Sequence, residues 1–354
     1  MTRILIVLML CGIAQAAQIV RYVDTGSAGG DGTTNAVSGA SAAYASLSAC
    51  LTAEAQNLTD NGGDTMLIRC RRTNGGGLDG AAAVTTGWTT NATSYITITA
   101  TDFPTDGIYD PNAYAITQAD GVTLSIAAPY TRLVTMQIVV TTTTGTGNGV
   151  SVTGVPTGAS DIRIANCIIQ GNCAGTGSGY GVVSTDPDNI IKIYNTLILD
   201  IVSGTDAGFQ GVRLSAGVVT LYNCTIYNCR YGIYQLTGGT GTAVNCAIDG
   251  TTDDVLGTWS VSYCCSGDLD GEPNTAPNGG SWSNEFTNIG GGNYSLKSGA
   301  NCIGAGTNDP GSGLYSTDIL GQTRTSPWDI GAFEYISGST PGGAMLGGNY
   351  RRRR

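Results

Sequence analysis

Asp186 and Asp188 lie two residues apart in the segment STDPDN, Asp206 falls in the loop before residue 211, and Arg213 and Tyr234 follow on short β-branched runs. Carboxylates, a guanidinium and a phenol are the groups that acid–base chemistry on a hydroxylated substrate needs. A carboxylate pair about 5–5.5 Å apart suits retaining hydrolysis of a glycosidic bond, and a separation of about 6.5–9.5 Å suits inversion. The plainer reading is that Asp186-Pro-Asp-Asn is a good turn sequence and Arg213 a solvated strand residue. Asp268-Leu-Asp270-Gly271-Glu272 has the acidic density of a calcium loop but lacks the remaining ligands at the required spacing. Arg324, Asp329 and Glu334 read as an ion-pair set that fixes the C-terminal segment. The chain has no histidine, which excludes a Ser-His-Asp triad. Its cysteine spacings, 167–173 and 224–229, match no zinc knuckle, so no metal site is expected.

Such residues converge only if the chain places them on one face, and the sequence carries a ruler for this. DIRIANCIIQ (161–170), IKIYNTLILD (191–200), VTLYNCTIYN (219–228) and TAVNCAIDG (242–250) align on Asn166, Asn195, Asn223 and Asn245, spaced 29, 28 and 22 residues apart. Apolar residues alternate up to each asparagine, as in a strand with one buried face. A second run follows at once, led by Cys167, Thr196, Cys224 or Cys246. A third, led by glycine, lies between copies: GVSV (149–152), GVVS (181–184), GVRL (211–214) and GIYQ (232–235). YTRLVTMQIV (130–139) is a degenerate copy with Thr135 at the asparagine position. Three strands per period predict an all-β right-handed parallel β-helix, a solenoid whose turns pair only with their neighbours. About eight turns spaced about 4.8 Å apart give a rod of roughly 40 Å. Asparagine tolerates left-handed backbone at a sharp turn, and its amide can bond the amide one turn away. Asn166, Asn195, Asn223 and Asn245 are therefore expected to stack as a structural ladder.

The ladder fixes which residues face outward. On the glycine-led strands Val150, Val152, Val182, Val212, Leu214 and Ile233 point inward by period 2, leaving Ser151, Val183, Arg213 and Tyr234 outside. With Asp186, Asp188 and Asp206 in flanking loops, the candidate cleft is expected there, although Val183 makes a poor subsite. The rod's ends need covers. Residues 17–62 read as a capping segment with a helix over about 43–58, Ser41 as its N-cap and Leu47, Leu51 and Leu58 on one face. The β-helix proper is expected over 63–266. A C-terminal module follows over 267–336, its Trp282, Phe286, Tyr294, Trp328 and Phe333 available to pack on the last turn.

The 354 residues include 54 glycines, and only 12% are charged. Four of the 16 basic residues are Arg351–Arg354, and removing them takes the net charge from −10 to −14, which argues against nucleic acid or anionic membrane as partner. Arg3, the apolar run to Ala14 and Ala14-Gln15-Ala16 read as a secretory signal over 1–16. The mature chain has no apolar stretch of the roughly 18 residues a span requires. Residues 337–354 read as a disordered basic tail. After the signal there remain ten cysteines, an even number that permits disulfides whose pairing sequence leaves open.

The N-terminal pieces RYVDTG, GGDGTTNA, YASLSACL and GDTMLI resemble bacterial right-handed parallel β-helix proteins of the pectin-lyase-like fold. NYSLKSGANCIGAGT (293–307) with TDILGQTRTSPWDIGAFEY (317–335) resembles the choice-of-anchor-type C-terminal module of secreted and surface members. The resemblance implies export and this fold, and a polysaccharide or cell-surface glycan as partner. Under its enzymatic branch it implies a polysaccharide lyase with calcium-binding carboxylates, or a glycoside hydrolase, on the glycine-led face. The leading expectation is a non-catalytic extracellular protein, binding glycan or serving as structure, without a cofactor. The enzyme is the alternative, a phage spike or filament component is a further one, and self-assembly stays open.

Overall fold

The computed structural model describes residues 16–337 apart from 61–62, 74, 85–86, 157, 159, 204–207 and 270–272. The expected signal over 1–16 and the tail over 337–354 therefore lie almost wholly outside the described residues. The chain is a parallel β-helix with three faces. Face A carries nine parallel strands in chain order, from Gln18–Asp24 and Thr65–Arg71 to Thr240–Val244 and Trp259–Ser262. Face B follows the asparagine turn and holds Ala115–Ala119, Gln137–Thr142, Ile168–Cys173 and Leu197–Leu199. Face C is glycine-led, with Val122–Ile126, Thr146–Val152, Ser178–Ser184 and Phe209–Leu214. In the later turns Thr225–Gln235 and Ala247–Leu256 run through the corner, which joins faces B and C into one sheet of parallel strands.

Alternation along each strand drives one side chain in two into a core of stacked columns. On face A, Ile98, Leu133, Ile164, Ile193 and Leu221 occupy one register position and are fully buried. On face B, Ile138, Ile169, Ile198, Ile226 and Ile248 do the same. Truncating any of these isoleucines to alanine costs about 2–5 kcal/mol. The glycines that lead face C have a steric cause. A Cβ on Gly211 would lie 2.6 Å from the Gly232 carbonyl oxygen and 2.8 Å from Cγ2 of Ile226, so the B–C corner closes only over glycine.

At the A–B corner, Thr135, Asn166, Asn195, Asn223, Asn245 and Tyr263 all take left-handed backbone, with φ from 47° to 57°. The neighbouring strand registers place the four asparagines in one column. Each next residue turns inward and bonds back to the carbonyl two residues earlier: Cys167 to Ala165 (3.2 Å), Thr196 to Tyr194 (3.0 Å), Cys224 to Tyr222 (3.4 Å) and Cys246 to Val244 (3.4 Å). A short side chain with a weak donor fits that position, which accounts for its alternation between Cys and Thr.

Three expectations about the ends need correction. The helix spans Leu47–Ala53, not 43–58, and its N-cap is Ser46, whose Oγ accepts the Ala49 N–H at 3.1 Å, rather than Ser41. Residues 42–44 are not helical: Tyr44 bridges to Val23 on the free edge of Gln18–Asp24, covering it. That strand is itself the first of face A, so the β-helix begins before residue 63. The C-terminal module does not sit on the last turn alone. It runs back along the side of the rod, where Ile319, Ile330, Ala332 and Phe333 cluster with the outward Ile168, Leu197 and Ala247 of face B. Phe333 lies so close to Gly107 that a Cβ there would come within 2.8 Å of its ring.

Candidate functional site

On face C, adjacent registers place Ser151, Val183, Arg213 and Tyr234 in a single outward column. Val183 is 4% exposed and offers no subsite. Arg213 is turned to its own sheet: Nη1 donates to the Tyr180 hydroxyl, the guanidinium lies 4.6 Å from that ring's centroid, and Nε donates to Ser215 Oγ at 3.3 Å. Asp186 Oδ1 accepts the Asp188 N–H at 2.9 Å, and the Asp188 carbonyl accepts the Ser160 hydroxyl at 3.0 Å. Both aspartates shape the turn. Among the described residues neither forms an ion pair with Arg213. Asp206 lies outside the described residues. The structure thus joins Arg213 to Tyr234, and among the described residues no carboxylate pairs with Arg213.

A groove of about 380 Å³ lies instead on face B, in the early turns. Its floor is two rows of outward side chains: Thr117, Val139 and Gln170, and beside them Ala119, Thr141 and Asn172, each row in register across three strands. The Thr117 and Thr141 hydroxyls share a hydrogen bond of 3.0 Å, and Gln170 Nε2 donates to Asp200 Oδ2 at 2.7 Å, which fixes its amide. Leu78 and Tyr109 form the walls. Arg72 ties the walls together, donating from Nε to the Gly76 carbonyl at 2.7 Å and from Nη1 to that of Pro111. Asp79 anchors the Leu78 wall: its Oδ2 accepts the Leu47 N–H at 2.7 Å and the Tyr114 hydroxyl at 2.6 Å. Burial raises the Tyr109 phenol above its ordinary range, partly offset by Arg72, so the wall presents a neutral ring and a hydroxyl donor. In later turns the same outward column is occupied by Leu199, 2% exposed, and Tyr227, which meets Trp282 and Phe286 edge-on. The groove ends where the C-terminal module begins.

That module is held by the asparagine column. Asn195 Nδ2 donates to the Thr317 carbonyl at 2.7 Å, Asn223 Nδ2 to that of Asp329 at 2.8 Å, and Asn245 Nδ2 to that of Thr307 at 2.7 Å. A single amide–amide contact joins Asn245 to Asn223, at 3.3 Å. The expected ladder of amides is therefore a docking strip whose partners lie 62 to 122 residues away. Arg324, with no exposed side-chain surface, crosses the seam from the other side, donating to Asn195 Oδ1 at 2.8 Å and standing 3.5 Å from Glu334. Asp329 accepts the Gly304 N–H at 2.6 Å and the Tyr335 N–H at 2.5 Å; burial pushes its pKa up to about 6. These carboxylates hold backbone. At the far corner Asp254 accepts the Gly250 and Gly267 N–H groups and the Ser266 hydroxyl, and Asp268 caps the Asp254 N–H at 2.7 Å. Asp270 and Glu272 lie outside the described residues.

No family model matches the sequence, and no curated protein matches it. Among solved structures the chain is similar to a crystal structure of the pectate lyase Pel9A, at 14% identity, over 92% of this chain and 98% of that one, with a TM-score of 0.35. The parallel registers of the chain itself establish the β-helix.

Proposed function

We propose that the chain is an exported, extracellular or cell-surface β-helix protein that binds a neutral polysaccharide in the face B groove without cleaving it. The observation that carries this reading is the lining: hydroxyls of Thr117 and Thr141, amides of Gln170 and Asn172, and one aromatic wall, Tyr109, with no charged side chain among the lining residues. Hydroxyls, amides and a ring are the groups that recognise a neutral sugar, and the volume falls in the range of small-molecule sites, about 300–1,000 Å³. Hydrolysis would need two convergent carboxylates. The signal-like N-terminus and the shortage of cations support export and argue for an uncharged or weakly charged partner. The test is a panel of neutral and acidic polysaccharides, with and without calcium, scored for binding and for released ends. Calcium-independent binding of a neutral member without cleavage is expected. Cleavage abolished by Asp188→Ala or Arg213→Ala would overturn the reading in favour of a lyase or hydrolase on face C.

A further inference from the structure

Cys265 and Cys302 come from different parts of the chain and meet under the C-terminal module. Cys265 begins the short strand Cys265–Ser266, in register with the outward Ala247 on face B. Cys302 lies in the module, and its carbonyl accepts the Ile330 N–H at 2.9 Å. Both side chains are fully buried in one apolar cluster. Their sulfurs lie within 4.8 Å of each other and of a Glu285 carboxylate oxygen. We infer that Cys265 and Cys302 are joined by a disulfide that fastens the C-terminal module to the last turn, an inference that rests on the reading of the chain as exported.

The column cysteines have other work, since Cys224, Cys246 and Cys264 each bond a backbone carbonyl two residues back. Glu285 is engaged with backbone rather than poised for an ion: Oε1 accepts the N–H groups of Asn278 (2.6 Å) and Asn301 (3.0 Å), and Oε2 accepts that of Cys302 (3.0 Å). Those bonds set Cys302 opposite Cys265. The bond forms by exchange with an oxidised small disulfide such as glutathione disulfide. One cysteine thiolate displaces a glutathione thiolate, and the second cysteine then displaces the other. Two protons leave the protein and two reduced glutathiones are released. Burial holds the Cys302 thiol well above its ordinary range in the finished fold, so exchange belongs to the docking step, before the seam closes.

The test refolds the full chain in mixed reduced and oxidised glutathione and maps unreduced peptides by mass. A linked pair carrying Cys265 and Cys302, two hydrogens lighter than its parts and separated by reductant, is the expected result. Reduction should lower the melting temperature by about 5 °C or more in the parent. It should leave a Cys265→Ser/Cys302→Ser variant unmoved. Recovery of both cysteines as free thiols after refolding and denaturation overturns the inference. So does one zinc per chain that is lost in Glu285→Gln. Refolding does not depend on cellular destination, so a pair linked after refolding but free in native material supports the disulfide geometry and counts against export alone.

Discussion

Arg324→Ala removes a guanidinium that has no solvent exposure and bonds both sides of the seam between the rod and its C-terminal module. Five acceptors lose a donor within reach: Asn195 Oδ1 at 2.8 Å, the Gly331 and Ala332 carbonyls at 3.1 and 3.3 Å, and the Asp329 carbonyl and Glu334 Oε2, each at 3.5 Å. Breaking a buried pair by deleting one partner costs about 3–5 kcal/mol, and each orphaned buried acceptor about 1–3 kcal/mol, with sums that are not additive. Glu334 keeps its bonds from the Thr325 N–H and hydroxyl, both 2.7 Å, so the expected loss stays near the lower figures, about 4 kcal/mol. The loss is local, since among the described residues Asn195 is the rod residue that Arg324 hydrogen-bonds. Hydrogen exchange reads it directly. The amides of Gly331 and Ala332, which donate to Asn245 and to Thr225 Oγ1, open only if the module lifts. Their protection should fall about 10³-fold in the variant, the factor that 4 kcal/mol implies at 1.36 kcal/mol per decade. Amides of Ile164, Ile193 and Leu221 in the rod should keep theirs. Unchanged exchange at 331–332, or an equal loss throughout face A, would refute the assignment of Arg324 to the seam.

Asn223→Ala should destabilise the chain by about 2–4 kcal/mol, combining left-handed strain with a lost buried bond to Asp329; Asn223→Gly should recover the strain portion only. Asn166, whose Oδ1 has no partner, should cost only the strain, about 1–2 kcal/mol, on change to alanine, as read by urea unfolding. The Asp329 carboxyl, pushed up to about 6 from an ordinary 3.8, binds its proton more tightly folded than unfolded. Its contribution is therefore present at low pH and is lost as pH rises from about 4 through about 6. The melting temperature of the parent relative to Asp329→Asn should fall across that window, and a difference that is flat or rises with pH would contradict the burial argument.

The rod was legible in the sequence because its constraints are local and repeated. A left-handed corner selects Asn, a back-bonded inward position selects Cys or Thr, and a corner without room for Cβ selects Gly. The early turns were harder to read: Thr135 stands where an asparagine recurs elsewhere, and loops such as 101–114 have no place in the repeat. The groove lies in those turns, and Tyr109 sits on one of those loops. Gln170 and Thr117 carried a faint signal as polar positions directly after the apolar pairs Ile168-Ile169 and Ala115-Ile116. The path of the module was hidden for a different reason. Asn195 finds its partner 122 residues later, and nothing in either segment alone distinguishes a docking amide from one that stacks on its neighbour. Asp186 and Asp188 read equally well as a turn or as a catalytic pair, because an Asx turn and a catalytic pair draw on the same residue type.

The most direct test of the central claim is titration of the tightest neutral oligosaccharide from the panel into three proteins: the parent, Tyr109→Ala and the double variant Asp188→Ala/Arg213→Ala. If the groove on face B is the binding site, Tyr109→Ala should weaken binding about tenfold or more, the effect of losing about 1.4 kcal/mol of ring contact, when titrated well below the variant's own melting temperature. The face C double variant should bind as the parent does. Full affinity in Tyr109→Ala together with lost affinity in the double variant would move the site to face C and contradict the account.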